Sequence, residues 1–210
     1  MRNSVLSLVS ILALSGMAYA GGDVTEIEEV VEVLPVVDDS GFYLGLGISW
    51  MSLDNDYNGE DFSANGIMLQ AGYQINQYFA IEGRYTHNIG DVEYNHGTSI
   101  NPNYDDYPTD FTNLALYAKG MYSIGDFTPY VLLGYGEVAL TNIPLGGPGI
   151  SADRAEQGFQ WGLGASYDFT EDIAIFVDYV NMYDGTGFDK RAVDADISAD
   201  TWTLGVTYKF

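Results

Sequence analysis

The last nine residues of the chain, 202–210, constrain its fold more than any other stretch. Large apolar side chains occupy every second position, and Thr, Gly, Thr and Lys stand between them. A period of two places these two sets on opposite faces of one β-strand. A strand that is apolar outward and polar inward is expected in a closed barrel whose outer surface meets lipid. The apolar set is Trp202, Leu204, Val206, Tyr208 and Phe210.

The same alternation recurs in seven earlier segments, so the sequence predicts eight strands. Each is about ten residues long, which is enough to cross an outer membrane at the usual strand tilt. The fifth segment is the least regular, because Glu137 falls on the same face as Leu133 and Tyr135. Either a bulge or the end of the strand would account for this acid. The predicted strands are 42–51, 66–73, 79–86, 113–122, 128–140, 159–168, 173–179 and 202–210.

The predicted connections alternate between long and short along the chain. Long loops are expected at 54–62, 88–110, 141–156 and 184–198, and short turns at 76–77, 124–126 and 170–172. Outer-membrane barrels keep all their long loops at one end in this way, whereas a soluble barrel would leave Phe159, Trp161 and Leu163 in water. We therefore predict an all-β fold, an eight-stranded antiparallel up-and-down transmembrane β-barrel over 41–210, in which the first strand closes against the last.

The first 40 residues do not show this pattern. Arg2, an apolar run from Val5 to Leu14 and the sequence Ala18-Tyr19-Ala20 predict a signal peptide over 1–20 with a cleavage site at its end. Residues 21–40 are acidic with interspersed Val and Ile, and Pro35 disfavours a stable helix. They are expected to form a flexible periplasmic tether, with a segment that folds on contact with a partner as the alternative.

The charge of the chain excludes one large class of partners. The formal net charge is −23, and removal of Arg2 with the signal peptide leaves six basic and 30 acidic residues, a net charge of −24. Such a surface is unsuited to nucleic acid, whose phosphates require Lys and Arg. Direct binding to anionic lipid head groups is also disfavoured unless divalent cations bridge the two. The absence of Cys is compatible with export.

Four charged residues fall on the inward faces of the predicted strands: Glu82, Arg84, Lys119 and Asp178. The interior of an eight-stranded barrel is only wide enough to be filled by side chains. Two acids and two bases would neutralise each other there, where an unpaired charge is costly. We expect an ion-pair network that fills the lumen. The alternative is a gate, in which an exchange of partners opens a narrow conductance.

Neither a metal site nor an active site is predicted. Asp54-Asn55-Asp56-Tyr57-Asn58-Gly59 matches the first six positions of a calcium loop, but Asn65 occupies the place of the bidentate Glu. His87 and His96 have acids nearby in sequence, and no local motif pairs either of them with a nucleophile. We therefore expect no metal, no cofactor and no enzymatic activity.

Several segments resemble the outer-membrane β-barrel family that includes the OmpA-type transmembrane domain and the opacity-like surface proteins. They are Gly41-Phe42-Tyr43-Leu44-Gly45-Leu46-Gly47, Tyr78-Phe79-Ala80-Ile81-Glu82-Gly83-Arg84-Tyr85, Pro129-Tyr130-Val131 with Gly134-Tyr135-Gly136, and the last strand, which ends in Phe. The resemblance covers 41–210. It implies that Trp202, Leu204, Val206, Tyr208 and Phe210 form a face recognised by the outer-membrane insertion machinery. No peptidoglycan-binding domain follows, so a role in cell-wall anchoring is not implied.

Together these observations predict a monomer in the outer membrane of a Gram-negative cell, with both termini in the periplasm and outer-membrane lipid around it. Its expected role is structural and interactive. Two alternatives remain open, a small passive porin for ions or minor solutes and an adhesin. An extracellular ligand would be bound through the loops at 88–110, 141–156 and 184–198.

Overall fold

The computed structural model describes residues 40–55, 60–96, 109–144, 151–185 and 197–210, and the regular elements within these ranges are all β-strands. None of these residues belongs to a helix with the length and hydropathy needed to cross a membrane. The predicted signal peptide and residues 21–39 of the predicted tether lie outside the described residues. The strands are β1 (Gly41–Asn55), β2 (Glu60–Asn76), β3 (Phe79–Asn88), β4 (Glu93–His96), β5 (Asp110–Met121), β6 (Phe127–Pro144), β7 (Ser151–Asp168), β8 (Ile173–Gly185) and β9 (Ile197–Lys209).

Eight of these strands close into one antiparallel barrel. Neighbours along the chain pair with one another, with β3 next to β5, and β9 pairs with β1 from Tyr43↔Lys209 to Asn55↔Ile197. The amide of Phe210 extends this seam by donating to the carbonyl oxygen of Phe42 at 2.9 Å. Closure leaves neither terminal strand with an unpaired edge. The predicted eight-stranded barrel and its closing pair are therefore confirmed.

The three short connections lie together at one end of the barrel, which we call the turn end. They connect β2 to β3, β5 to β6 and β7 to β8, and both Gly41 and Phe210 lie at this end. The second of them has Gly125 at φ 62°, a left-handed conformation that glycine adopts without the steric cost of a side chain. The opposite end, which carries the long connections, is the loop end.

The strands extend further into the predicted loops than alternation alone indicates. β1 and β2 remain paired to Asn55↔Glu60, and β6 and β7 to Pro144↔Ser151, so most of 54–62 and of 141–156 is strand. The predicted loop 88–110 contains β4, which pairs with the loop end of β2 outside the eight-stranded ring. The predicted strand ends at the loop end were wrong because polar residues beyond the lipid belt can continue a paired hairpin as well as form a loop.

Burial alternates along the strands, so one face is inward and the other outward. Glu137 lies on the outer face of β6, opposite Leu114 and Gln157 in an unbroken register. The irregularity in β6 lies further on, between Leu140 and Ile143. The acid is therefore explained by its position near the loop end of the strand, and not by a bulge. Its carboxylate Oε2 accepts a hydrogen bond from Gln157 Nε2 at 2.8 Å.

Candidate functional site: the lumen and outer face of the barrel

The structure brings the four inward charged residues of the sequence prediction together in the lumen. Arg84 lies between the two acids, with Nε 2.5 Å from Glu82 Oε1 and Nη2 2.7 Å from Asp178 Oδ2. Lys119 Nζ is 3.3 Å from Glu82 Oε2. We call these four residues the ionic layer. Both carboxylates are fully buried, so the pairing supplies the neutralisation that charges out of water require.

Two tyrosines complete the ionic layer by donating to its carboxylates. Tyr43 Oη donates to Glu82 Oε2 at 2.6 Å, and Tyr130 Oη donates to Asp178 Oδ2 at 2.7 Å. The Lys119 ammonium nitrogen also lies 4.0 Å from the centroid of the Tyr130 ring, a cation–π contact. Sequence analysis missed these tyrosines as partners. Their inward position on the alternating strands was the available signal, but alternation does not show which residues meet across the lumen.

Glycines make room for the large side chains of this layer. A Cβ at Gly164 would lie 2.5 Å from Cβ of Asp178 and 2.6 Å from the ring of Tyr130. A Cβ at Gly72 would overlap the ring of Tyr43. These glycines therefore allow the tyrosine rings to lie against the barrel wall and point their hydroxyl groups at the acids.

A neutral polar group lies on the loop-end side of the ionic layer. Gln160 Nε2 donates to Asn113 Oδ1 at 2.8 Å, and Tyr117 Oη donates to Gln160 Oε1. Ser49 and Thr203 share a hydrogen bond of 2.9 Å between their hydroxyl oxygens, on the adjacent strands β1 and β9. These groups are buried and partnered, as polar groups inside a folded protein normally are.

Towards the loop end the lumen is filled by apolar side chains. They belong to one contiguous buried cluster, and several are completely inaccessible to solvent. Val92 joins the cluster from the connection between β3 and β4, so this connection covers part of the barrel interior. We call the loop-end members of the cluster the apolar cap: Met51, Leu53, Val92, Phe111, Val138, Leu140, Met182 and Ile197.

Asn88 fixes the connection that carries Val92. Its side-chain amide donates to the carbonyl oxygens of Gly90 at 2.9 Å and Thr109 at 3.0 Å. Its side-chain oxygen accepts from the amide of Phe111 at 2.8 Å. One buried side chain therefore joins both ends of the segment 88–110, and Gly90 permits the turn with φ 81°.

Two buried polar groups near the ionic layer have no hydrogen-bond partner among the described residues. They are both atoms of the Gln70 side-chain amide and Oδ1 of Asp178. Gln70 is 4% exposed and its amide lies over Gly45, where a Cβ would be 2.6 Å from Nε2. Buried groups of this kind in proteins are usually hydrogen-bonded to internal water. The lumen around the ionic layer is therefore suited to water, in contrast to the apolar cap.

A cavity of about 380 Å³ opens at the turn end of the lumen. Its wall includes the side chains of Lys119, Tyr43 and Phe176, which lie deepest, and those of the turn residues Thr170 and Asp172. The lumen thus has four parts in succession from the turn end: the cavity, the ionic layer, the neutral polar group and the apolar cap.

The outer face carries a belt of exposed apolar side chains bounded by aromatic residues. Towards the loop end Tyr179 contacts Trp161 and Trp202, with ring centroids 5.8 Å and 5.4 Å apart. Towards the turn end the centroids of Phe42 and Tyr73 are 4.8 Å apart. Aromatic girdles of this kind mark the two membrane–water interfaces of a barrel. All five residues of the predicted insertion face point outward into this belt: Trp202, Leu204, Val206, Tyr208 and Phe210.

The remaining sequence candidates do not form a site among the described residues. No group of three or more His, Cys, Asp or Glu within the described ranges could hold a metal ion. His87 lies on the outer face of β3 against Tyr85, with ring centroids 6.3 Å apart. The side chain of His96, the loop-one residues 56–59, and residues 97–108, 145–150 and 186–196 of the other loops lie outside what the structure describes.

Residues 6–210 match the family model of the outer membrane protein beta-barrel domain. The chain belongs to this family. Membership of this family places the protein in the outer membrane of a Gram-negative cell, and the closed sheet with its exposed apolar belt is compatible with that location. No curated protein matches the sequence significantly.

Solved structures of outer-membrane proteins share the fold at low sequence identity. Ail of Yersinia pestis, solved with the heparin analogue sucrose octasulfate, is 20% identical with a TM-score of 0.55, and the match covers 81% of this chain and 99% of Ail. Neisserial surface protein A is 18% identical with a TM-score of 0.58, over 81% of this chain and 98% of its own. OprG of Pseudomonas aeruginosa is 16% identical with a TM-score of 0.51, over 81% and 96%.

Proposed function

We propose that this family member is a non-enzymatic structural and surface-interaction protein of the outer membrane, with a lumen closed to solutes. The turn end faces the periplasm, so both ends of the barrel domain at 41–210 are periplasmic, and the loop end faces outward. This orientation follows from the rule that short turns are periplasmic and long loops external in such barrels.

The observation that carries this proposal is the obstruction of the lumen by the ionic layer and the apolar cap. The ionic layer crosses the lumen from β3 to β8 through Arg84, and the apolar cap fills the loop end. An ion passing through would have to leave water to cross the cap, which is costly. A barrel of this kind stabilises the membrane and presents its loop end without conducting.

The test is single-channel recording in planar bilayers with protein whose folding is confirmed by heat-modifiable migration on a gel. We expect the folded protein to give no conductance steps above those of protein-free bilayers. Reproducible steps from folded, monomeric protein would contradict a closed lumen. Complete digestion of the vesicle-bound protein by added protease would contradict a barrel that spans the membrane.

A small passive porin is the second candidate, and the cavity favours it. Because the cavity reaches Lys119, it already extends from the turn end to the ionic layer. If an exchange of ion-pair partners opens the lumen, Lys119→Ala or Glu82→Ala should change the conductance. Unchanged or absent conductance in both variants and the parent would remove the gate.

An adhesin that acts through the external loops 88–110, 141–156 and 184–198 is the third candidate. Ail was solved with a sulfated polyanion, but a net charge of −23 makes such a ligand unfavourable for this chain. A neutral or cationic partner suits the acidic loop end better. Binding of cells or matrix that is lost when part of 97–108 is deleted, with the barrel still heat-modifiable, would support this role.

Assembly gives two further tests. We propose that residues 1–20 are removed as a signal peptide and that 21–40 remain as a periplasmic tether, so N-terminal sequencing of outer-membrane protein should begin at Gly21.

We also propose that the 202–210 face, ending at Phe210, is recognised by the insertion machinery. Phe210→Ser should lower the yield in the outer membrane, whereas Phe169→Ser, at another exposed turn-end aromatic, should lower it much less.

The oligomeric state is part of the same proposal. We expect a monomer surrounded by lipid, because closure of the sheet satisfies every strand edge of the eight-stranded ring. Light scattering with correction for bound detergent would measure the protein mass. A mass of two or more chains that persists on dilution would contradict it.

A further inference from the structure

The cavity at the turn end has an unusual share of the positive charge of this chain. Within the described ranges the basic side chains are Arg84, Lys119, Arg154 and Lys209, and two of these four line the cavity. Lys119 pairs with Glu82 in the ionic layer, and its side chain also reaches the cavity wall, where a ligand with a negatively charged group would meet it.

Lys119 is the deepest cation of the cavity and is positioned to bind such a group. Its side chain is 11% exposed, and Nζ contacts Glu82 Oε2 at 3.3 Å and the face of the Tyr130 ring. An ammonium group has three donors. Only one of them has an acceptor among the described residues, the Glu82 carboxylate, so the others are available to a ligand in the cavity.

The mouth of the same cavity has the opposite charge. Asp168, Glu171 and Asp172 line it together with Lys209, so acids outnumber bases there by three to one. All three acids are exposed, and they lie on the β7–β8 turn or directly beside it. The electrostatic potential therefore changes from negative at the mouth to positive at the inner wall near Lys119. The acids at the mouth repel simple anions before they reach Lys119.

The rest of the wall is neutral and mixed. Gln74, Ser123, Thr128 and Thr207 supply donors and acceptors. Phe176 contributes an apolar surface beside them. A volume of about 380 Å³ falls at the lower end of the range of small-molecule sites, which combine an apolar wall with a few polar groups.

We propose that this cavity binds a small zwitterion, an amino acid or short peptide, with its carboxylate towards Lys119 and its ammonium group towards Asp168 and Asp172. A ligand with both charges satisfies both ends of the cavity, whereas a simple anion meets the acidic mouth and a simple cation meets Lys119. The site does not depend on whether the barrel conducts, and its periplasmic exposure alone depends on the orientation proposed above.

The experiment is an NMR titration of the refolded, isotope-labelled barrel in a nonionic detergent, since zwitterionic detergents would compete. Three probes are used. Glycylglycine carries both charges, acetate carries only the negative charge and ethylammonium carries only the positive charge. We expect saturable shifts at Ser123, Thr128 and Thr207 with glycylglycine, and affinity at least about tenfold weaker for the two singly charged probes.

Two sets of variants test the orientation of the ligand. Lys119→Met should weaken glycylglycine binding at least about tenfold, and Asp168→Asn with Asp172→Asn should weaken it while improving acetate binding. Asp153→Asn, an exposed acid at the loop end, is the matched control and should leave binding unchanged. The Asp168 and Asp172 changes are at exposed positions, so they remain informative if Lys119→Met fails to fold.

Equal binding of all three probes, or no effect of the Asp168 and Asp172 changes, would overturn the proposal. Absence of saturable shifts with glycylglycine and its tripeptide homologue would also overturn it. Conductance of the parent protein would contradict the closed lumen and leave the zwitterion site standing, so the two failures are distinguishable.

Discussion

The two halves of the lumen are built from the same alternating strands, yet they have opposite characters. The loop-end half is mainly apolar, with buried polar groups that are hydrogen-bonded to one another, and even the β3–β4 connection contributes Val92 to it. The turn-end half holds paired charges, buried amide groups and a cavity open to solvent. The comparison teaches that a closed barrel isolates its interior from lipid, so each level of the lumen can be filled independently with apolar or polar groups.

The two halves should also stabilise the folded barrel in different ways. The apolar cap should respond to substitutions as the core of a soluble protein does, through lost contacts and the volume of the cavity created. The ionic layer should respond through uncompensated charge. The following four substitutions test this division, from the largest expected effect to the smallest.

Arg84→Met should have the largest effect, a loss of about 3–5 kcal/mol in the free energy of unfolding. It removes the cation that lies between Glu82 and Asp178 and leaves two buried carboxylates without it. Urea unfolding in lipid vesicles, followed by tryptophan fluorescence, measures the change. Arg154→Met is the control at a half-buried loop-end position, where about 1 kcal/mol or less is expected. Equal losses in both variants would contradict a special role for the ionic layer.

Phe111→Ala should cost about 3–4 kcal/mol, because it opens a void in the apolar cap at a side chain that is completely buried. The matched control is Leu114→Ala on the same strand, whose side chain faces lipid. There the loss should be less than about 1 kcal/mol, since lipid fills the space that the side chain leaves. If the two costs were similar in urea unfolding, the loop-end lumen would not be a packed core.

Gly164→Ala should cost about 2 kcal/mol, because its new Cβ would lie 2.5 Å from Cβ of Asp178 and force a shift in the ionic layer. Gly83→Ala is its control, since the nearest atom to that Cβ is the Ala71 carbonyl oxygen at 3.8 Å. The temperature at which the folded band on a gel is replaced by the unfolded band would rank the stability of the two variants. A Gly83→Ala variant as unstable as Gly164→Ala would indicate that strand propensity and not lumen packing decides the result.

Gln70→Met should have the smallest effect, within about 1 kcal/mol of the parent, because the amide that it removes has no partner among the described residues. Gln160→Met is the contrasting change in the same lumen. It breaks hydrogen bonds with Asn113 and Tyr117 and should cost about 1–3 kcal/mol. The interpretation that the lumen around the ionic layer is suited to water would lose its support if Gln70→Met proved the more damaging of the two.

Much of the fold could be predicted from alternation because the two faces of each strand meet different surroundings. Ile48 in β1 and Leu204 in β9 both face lipid and pair with each other where the barrel closes. The three short turns lie between them in the sequence. The strand ends at the loop end could not be predicted in the same way. Beyond the lipid belt both faces of β6 and β7 include polar residues, so the periodicity disappears while the backbone pairing continues to Pro144↔Ser151.

The sequence by itself determined the number of spanning strands, their inward and outward faces and the presence of two acids and two bases inside. Only the tertiary structure decided that Arg84 binds both Glu82 and Asp178, the latter 94 residues further along the chain. It also decided that Tyr43 donates to Glu82 and Tyr130 to Asp178. It also decided that the loop end is apolar and the turn end open. The reason is that a period of two assigns a face and never a partner: which inward side chains meet depends on the closure and register of the whole sheet.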